Sequence, residues 1–110
     1  MIVEPKDLRW SGKAGYQAVY LQNATNDRLA IKAKCSDTKL YYVNPVFGFI
    51  EPGETMKVDV VRQKAAPKID KIIFVTVHAT KDDLLPKPLF KGPEESQKTA
   101  MLPLLVARAM

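Results

Sequence analysis

With 110 residues, of which 46% are hydrophobic and 26% charged, the chain has the composition of one small soluble domain with a single two-layer core. Its apolar runs fall far short of the ~20 residues that span a bilayer, and its first ten residues carry early charges and a proline, unlike a signal peptide. The net charge of +5 favours anionic partners such as nucleic acid or acidic peptide, and the single cysteine, Cys35, excludes an internal disulfide. A lone thiol suits the cytosol, so we expect one cytoplasmic domain over residues 1–110 with no direct membrane insertion.

Prolines and glycines scattered along the chain break long helices and favour short strands. The first predicted strand covers residues 16–23 and ends in the turn 23–27, where Asn and Asp side chains bond their own backbone. The next predicted strand covers residues 29–34, with its apolar residues on one side and Lys32 and Lys34 on the other. This alternation predicts a half-buried strand with a basic outer face.

The middle of the chain continues with short strand patterns separated by turn signals. Proline followed by glycine in Glu51-Pro52-Gly53-Glu54 predicts a turn with a positive φ at Gly53. The segment after this turn alternates cleanly, and KIIFVTVHA is the strongest strand pattern of the chain because most of its positions are β-branched. These further strands are predicted at residues 39–43, 47–50, 55–61 and 71–79.

The last third of the chain is less regular. Residues 80–98 are polar, contain three prolines and are predicted to form a long surface loop. Residues 99–110 are apolar, and Pro103 in their middle favours an edge strand or an irregular strand over a helix. The total is about seven short strands without a helix, which predicts an all-β, seven-stranded, immunoglobulin-like antiparallel sandwich without the paired cysteines of antibody domains.

Residues suited to catalysis are few. His78 lies within the strongest strand pattern, where it is expected to be a surface or half-buried residue and not a general base. Lys34 beside Cys35 favours a reactive thiolate, but a cysteine–histidine pair needs a spatial contact that no local pattern shows. One cysteine and one histidine cannot build a tetrahedral metal site, and no glycine-rich phosphate loop is present. We expect a non-enzyme with no catalytic residue, cofactor or metal.

The basic residues leave two interpretations open. Lys32, Lys34 and Lys71 lie on predicted strands that can sit side by side, so they form either a positive ridge for a partner or an ordinary solvent face that protects strand edges. Tyr41 and Tyr42 near these lysines resemble the aromatic and basic pattern of single-strand nucleic-acid binders. However, no recognition helix or ribonucleoprotein signature accompanies them, and one of two adjacent strand tyrosines must point inward. We therefore expect no nucleic-acid partner.

The order of motifs is familiar. The stretch LQNATNDRLAIKAKCSDTKLYYVNPVFGFIEPGETMKVDVVRQ and the later APKIDKIIF resemble the major sperm protein (MSP) domain, whose fold the VAP proteins of the endoplasmic reticulum share. The resemblance covers residues 3–107, and the spellings KCSD and KDDLLPKPLF are most similar to the small sperm-specific MSP-like proteins of nematodes. It implies an immunoglobulin-like, MSP/PapD-like sandwich that performs no catalysis.

The resemblance implies two alternative functions. Filament-forming members dimerise and assemble into the fibres of crawling sperm, which implies a cytoskeleton-associated structural or accessory component whose partners are MSP-type proteins, a homodimer included. VAP-like members bind short acidic peptides that contain two phenylalanines, which implies an adaptor.

By position, the resemblance carries a peptide- or protein-binding site onto this chain. The family's adjacent threonines are replaced by cysteine and serine, its bend-forming proline by Thr38, and its later methionine by isoleucine, whereas the lysines and one hydroxyl are kept. The residues of this predicted site are Lys32, Lys34, Cys35, Ser36, Lys71 and Ile73.

Overall fold

The computed structural model describes residues 1–12 and 14–107. The last residues of the predicted C-terminal strand, 108–110, lie outside this part of the chain. The described residues form nine strands and two short 3-10 helices: β1 Ile2–Glu4, β2 Leu8–Trp10, β3 Gly15–Gln22, β4 Arg28–Cys35, β5 Tyr41–Asn44, β6 Phe47–Ile50, β7 Thr55–Arg62, β8 Asp70–Ala79, η1 Lys87–Lys91, η2 Glu94–Ser96 and β9 Lys98–Val106.

The strands form two sheets that pack face to face. One sheet has four strands in the order β1-β3-β7-β5, and the other has five in the order β2-β9-β8-β4-β6. From β1 to β8 consecutive strands exchange between the sheets, as in immunoglobulin-like sandwiches, and β9 then pairs with β8 in the same sheet. The predicted all-β sandwich is therefore confirmed.

Three details of the prediction were wrong. The strand count is nine among the described residues, because the three-residue strands β1 and β2 are too short to show an alternation. The sandwich is not fully antiparallel, since β2 pairs with β9 in parallel. The strand β9 is not at an edge but lies between β2 and β8. Pro103 is tolerated there because the pairing with β2 begins only at Leu104, so a single neighbouring strand flanks the proline.

The core lies between the two sheets and consists of the inward-facing residues of each strand. Alternation puts every second side chain of β3, β7, β8 and β9 into it, and removing these apolar surfaces from water drives the two sheets together. Trp10 closes one end, where its indole Nε1 donates to the carbonyl of Gly15 at 3.0 Å. The largest fully buried apolar side chains are Phe74, Leu8, Leu21, Ile31, Ile50, Ile72, Leu102, Leu104, Val19, Val58 and Val60.

Both predicted turns have the expected chemistry. Asn23 is fully buried, and its amide donates to the carbonyls of Asp27 and Ile50 while its Oδ1 accepts from Thr25. Gly53 has a φ of 78°, the left-handed conformation predicted for the Pro-Gly turn. Backbone hydrogen bonds between Asn23 and the turn at Gly53 and Glu54 join the two turns at one end of the sandwich.

Arg62, the last residue of β7, is 1% exposed and organises the segment that follows. Its guanidinium donates to Tyr41 Oη at 3.1 Å and to the carbonyls of Ala65 and Ala66 at 3.2 and 2.9 Å. A buried guanidinium is tolerated only where such acceptors surround it. The contacts fix the linker 63–69 against the sandwich, directly before the first residue of β8.

Candidate functional site

Strands β4 and β8 bring most of the predicted site residues together. The two strands are antiparallel neighbours, with Lys34 opposite Ile73, Cys35 opposite Ile72 and Lys32 opposite Val75. Ser36 follows β4 directly, and its backbone N–H donates to the carbonyl of Lys71 at 3.0 Å. Five of the six residues therefore lie at one end of the five-stranded sheet, and Lys32 lies nearer its middle.

Cys35 faces away from the other site residues. Because side chains alternate along a strand, Lys34 points outward and Cys35 points inward, where it packs against the core. Its Sγ lies 3.7 Å from the carbonyl oxygen of Asp37. Burial is the main cause that raises the pKa of the Cys35 thiol, so the reactive thiolate is disfavoured and the neighbouring lysine does not activate it.

The hydroxyl of Ser36 joins the end of β4 to the start of β8. It donates to Asp70 Oδ1 at 2.8 Å and accepts from the backbone N–H of Lys71 at 3.0 Å. Both of its hydrogen-bonding directions are therefore used inside the protein. Ser36 positions Lys71, and its hydroxyl is not directed to a ligand.

A lysine flanked by two carboxylates supports this corner. Lys68 Nζ lies 2.9 Å from Asp37 Oδ2. It also donates to Asp70 Oδ1 at 3.1 Å and lies 3.0 Å from the buried Oδ2 of the same carboxylate. The hydrogen bond from Lys68 is the main cause that lowers the pKa of Asp37, and the same bond raises the pKa of Lys68. Lys68 ties the linker to the residues after β4.

The outer face of the five-stranded sheet, which points away from the other sheet, is divided into two halves. The covered half, defined by Ala30, Phe47, Val75 and Val77, lies beneath η1, and the Phe90 ring of this helix packs against Phe47 with centroids 5.9 Å apart. Lys32 belongs to its border, because its Nζ lies 5.6 Å from the Phe47 ring centroid.

The open half carries the remaining site residues, and we define it by Lys34, Lys71, Ile73, Met101 and Pro103. Strand β9 contributes Met101 opposite Ile73 and Pro103 opposite Lys71. The Met101 side chain is 61% exposed, so the apolar surface at the centre of the open half is available to a partner. Sequence reasoning missed both β9 residues because they become neighbours only through the strand order.

A groove of about 290 Å³ continues the open half towards the linker. Ile69, which is 81% exposed, stands at one side of it. The lining residues are Arg9, Pro67, Lys68, Ile69, Leu105 and Val106. The groove has apolar walls with basic side chains at its rim, a combination suited to an apolar side chain from an acidic segment.

The charges of the open half are not neutralised within the domain. Neither Lys34 nor Lys71 forms an ion pair with residues 1–12 or 14–107, whereas the neighbouring Lys68 is shared by two carboxylates. Both lysines are exposed and flank the apolar pair Ile73 and Met101. The open half therefore combines two uncompensated cations with exposed apolar surface.

Comparison with known proteins places this geometry in a family. The model of the MSP (major sperm protein) domain matches residues 1–98. This chain belongs to the MSP domain family. Sperm-specific class P protein 32 of Caenorhabditis elegans is 27% identical over 103 residues, which cover 93% of this chain and 96% of that protein.

Solved structures agree with the assignment. WR4, a C. elegans MSP family member, superposes with a TM-score of 0.89 at 27% identity, over 96% of this MSP domain and 96% of that chain. PapD-like domain 7 of human CEP192 matches with a TM-score of 0.56 at 10% identity, over 99% of this domain and 86% of that chain. The second likeness is one of fold alone and agrees with the predicted MSP/PapD-like sandwich.

Cys35 and His78, the two residues considered for catalysis, lie far apart in the MSP domain. In the antiparallel pairing of β4 and β8, Cys35 lies opposite Ile72 while His78 lies opposite Leu29, so about 20 Å of strand separates the thiol from the imidazole. His78 is exposed, with Nδ1 3.5 Å from Asp27 Oδ2. In the described ranges, no group of three or more His, Cys, Asp or Glu side chains could hold a metal ion. No helix of those ranges is long and apolar enough to cross a membrane.

The tyrosines considered for nucleic-acid binding also lie apart from the lysines. Tyr41 is buried and Tyr42 exposed, as expected for neighbours on a strand, and both belong to the four-stranded sheet. Lys32 and Lys34 belong to the other sheet. The MSP domain does not place Tyr42 and these lysines on one face, which is the arrangement that single-strand binding requires.

Proposed function

We propose that this MSP-domain protein is a non-enzymatic structural or accessory component of the motility machinery of nematode sperm. The similarity to proteins named as sperm-specific supports the setting. The separation of Cys35 from His78 and the inward orientation of the thiol support a role without catalysis. On this view the domain acts in the cytoplasm through contacts with other proteins, MSP-type proteins among them.

The open half is the observation that carries a binding role. Two exposed lysines without ion pairs raise the local concentration of an acidic partner, because uncompensated charge steers association. The half-buried Ile73 and the exposed Met101 between them offer apolar area whose burial stabilises the complex once it has formed. Charge thus selects an acidic segment, and the apolar centre retains it.

Self-assembly is the first form of this function to test. Sedimentation equilibrium over a rising concentration series should detect a dimer and then larger species. A protein that stays strictly monomeric at millimolar concentration would exclude assembly as its function.

A second candidate function is that of an adaptor for acidic peptides with two phenylalanines, and the same open half favours it. Calorimetric titration in low salt should detect binding of such a peptide to the native domain. The double variant Lys34→Glu, Lys71→Asp should lower the affinity by at least about tenfold, because both exposed cations become acids that repel the peptide.

Control variants make that titration decisive. Both lysines are exposed, so the double variant should keep the circular dichroism spectrum of the native domain. Tyr42→Ser on the other sheet is the matched control and should leave the affinity unchanged. Equal affinities of the native domain and the double variant would rule out the open half as the peptide site.

A further inference from the structure

Residues 82–85, Asp-Asp-Leu-Leu, form a second exposed surface that the fold itself does not use. Leu84 is 87% exposed and Leu85 is 68% exposed, an unusual state for two consecutive leucines. Asp82 is exposed and forms no ion pair within the described ranges. The Asp83 carboxylate accepts from the backbone N–H of Thr80 at 2.7 Å, which holds the segment in a defined turn. We call these four residues the acidic dileucine loop.

This loop is fixed at the end of the molecule opposite to the open half. Arg28, the first residue of β4, donates from Nη1 to the carbonyls of Thr80 and Asp83 at 2.7 and 2.8 Å. Lys34 lies six residues further along the same strand, which corresponds to about 20 Å at 3.3 Å per residue. The loop is tied down by Arg28, so it cannot reach the open half of its own molecule.

The two surfaces are complementary in charge and in polarity. The open half has two lysines without ion pairs around half-buried Ile73 and exposed Met101. The acidic dileucine loop has a carboxylate without an ion pair beside two exposed leucines. We propose that the acidic dileucine loop of one copy docks on the open half of a second copy, with the carboxylates near Lys34 and Lys71 and the leucines on the apolar centre and its adjoining groove. This inference rests on the proposed binding role of the open half and names its occupant.

The geometry of this contact determines the form of the assembly. A contact between two different surfaces at opposite ends is heterologous, so each added copy leaves one loop and one open half unoccupied. The product is a head-to-tail chain and not a closed two-fold dimer. A contact this small is weak for a single pair and weakens further with salt, because part of it is electrostatic.

Two variants that each retain one of the surfaces test the docking. The loop variant carries Leu84→Ser and Leu85→Ser, and the face variant carries Lys34→Glu and Lys71→Asp. All four positions are exposed, so both variants should keep the native circular dichroism spectrum. In sedimentation experiments the native protein should form species larger than dimers at high concentration, and each variant alone should associate at least about tenfold more weakly.

Mixing the two variants separates a head-to-tail contact from every symmetric one. The loop variant keeps an intact open half and the face variant keeps an intact loop, so an equimolar mixture should form a one-to-one complex and nothing larger. Tyr20→Ser, at an exposed position of the other sheet, should assemble like the native protein. Failure of the mixture to form the complex, or native-like assembly by either variant alone, would overturn the proposal.

The acidic diphenylalanine peptide distinguishes failure of this inference from failure of the binding role. The loop variant should bind that peptide with native affinity, because its open half is unchanged, and the face variant should not. A native protein that binds the peptide but never associates with itself would refute the docking of the loop and leave the binding role intact. A native protein that binds neither the peptide nor a second copy would refute both.

Discussion

The side chain of Asn23 forms hydrogen bonds with three other residues of the chain. The buried side chain satisfies carbonyl groups of Asp27 and Ile50 and accepts from Thr25, so three segments depend on one amide. Asn23→Ala should lower the free energy of unfolding by about 2–3 kcal/mol, because it leaves buried polar groups without partners. Urea denaturation of the native and variant proteins measures this difference.

A second asparagine of the same turn provides the control for that measurement. Asn26 is exposed, and Asn26→Ala should change the free energy of unfolding by less than about 0.5 kcal/mol. If both alanine variants lower the free energy of unfolding by the same amount, the hydrogen bonds of the Asn23 side chain do not stabilise the turn.

Asp37 predicts a pH dependence of stability. Its pKa is lowered in the folded state, chiefly by the hydrogen bond from Lys68, so below the usual carboxyl value the unfolded chain binds a proton before the folded one. This contribution is fully present above about pH 4 and is lost as the pH falls through the folded pKa. Asp37→Asn keeps a side-chain oxygen for the backbone N–H groups of Lys39 and Leu40 but removes the charge.

The variant should therefore be less stable than the native protein near neutral pH and equally stable in strong acid. Urea midpoints near pH 7 and near pH 2 measure the two differences. A difference that stays constant between these pH values would show that the charge of Asp37 does not contribute.

At the residue scale, the sequence predicted some residues of the candidate site and missed others, for physical reasons. Lys34, Lys71 and Ile73 were predicted from their positions in a familiar motif order, and the strand register places them side by side. Alternation alone predicted that Lys34 points outward and that one of Tyr41 and Tyr42 points inward, but not which of the two. Met101 lies next to Ile73 only because β9 pairs with β8, a contact between distant segments that no local pattern encodes.

At the scale of elements, η1 decides which half of the outer face is available. Val75 and Val77 point outward from β8 yet are buried, because η1 contacts both β4 and β8. Residues 80–98, predicted as a surface loop, thus contain a short helix that covers apolar surface, and their polar composition gave no sign of this role.

Phe90 should hold η1 in place through its contact with Phe47. Phe90→Ala should lower the free energy of unfolding by about 1–3 kcal/mol, less than for a fully buried phenylalanine because Phe90 is half-buried. Chemical denaturation measures the change. Leu85→Ala, at an exposed position of the same segment, is the control and should leave stability unchanged; an equal loss in both variants would show that η1 is not anchored by Phe90.

The largest errors of the sequence-based prediction concern the place of β9 in its sheet and the missed strands β1 and β2. The proline of β9 suggested an edge strand, but the strand at that edge of the sheet is the three-residue β2, whose pairing with β9 starts one residue after Pro103. A proline removes one backbone N–H donor, so it prevents one hydrogen bond to the strand on one side. It does not prevent the rest of its strand from lying in the interior of a sheet. Strands β1 and β2 have three residues each, which is too short for an alternation of apolar and polar residues to be recognised. No sequence pattern therefore predicted them.

At the scale of the whole molecule, the domain is elongated and its two ends differ. It measures 51 × 25 × 21 Å along its principal axes. One end of the five-stranded sheet carries the open half, with Lys34 and Lys71, and the other end carries the acidic dileucine loop. This polarity follows from the fold, since β4 and β8 run the length of the sheet between them.

The central claim is that the open half is the surface through which this MSP domain binds other proteins. Amide chemical shifts recorded while an acidic diphenylalanine peptide is added test it most directly, because they report site and partner class together. The account predicts progressive shifts at Lys34, Lys71, Ile73 and Met101, with the amides of Tyr16 and Tyr20 on the other sheet unchanged. Shifts confined to the tyrosine-bearing sheet, or no shifts at a saturating peptide concentration, would contradict it.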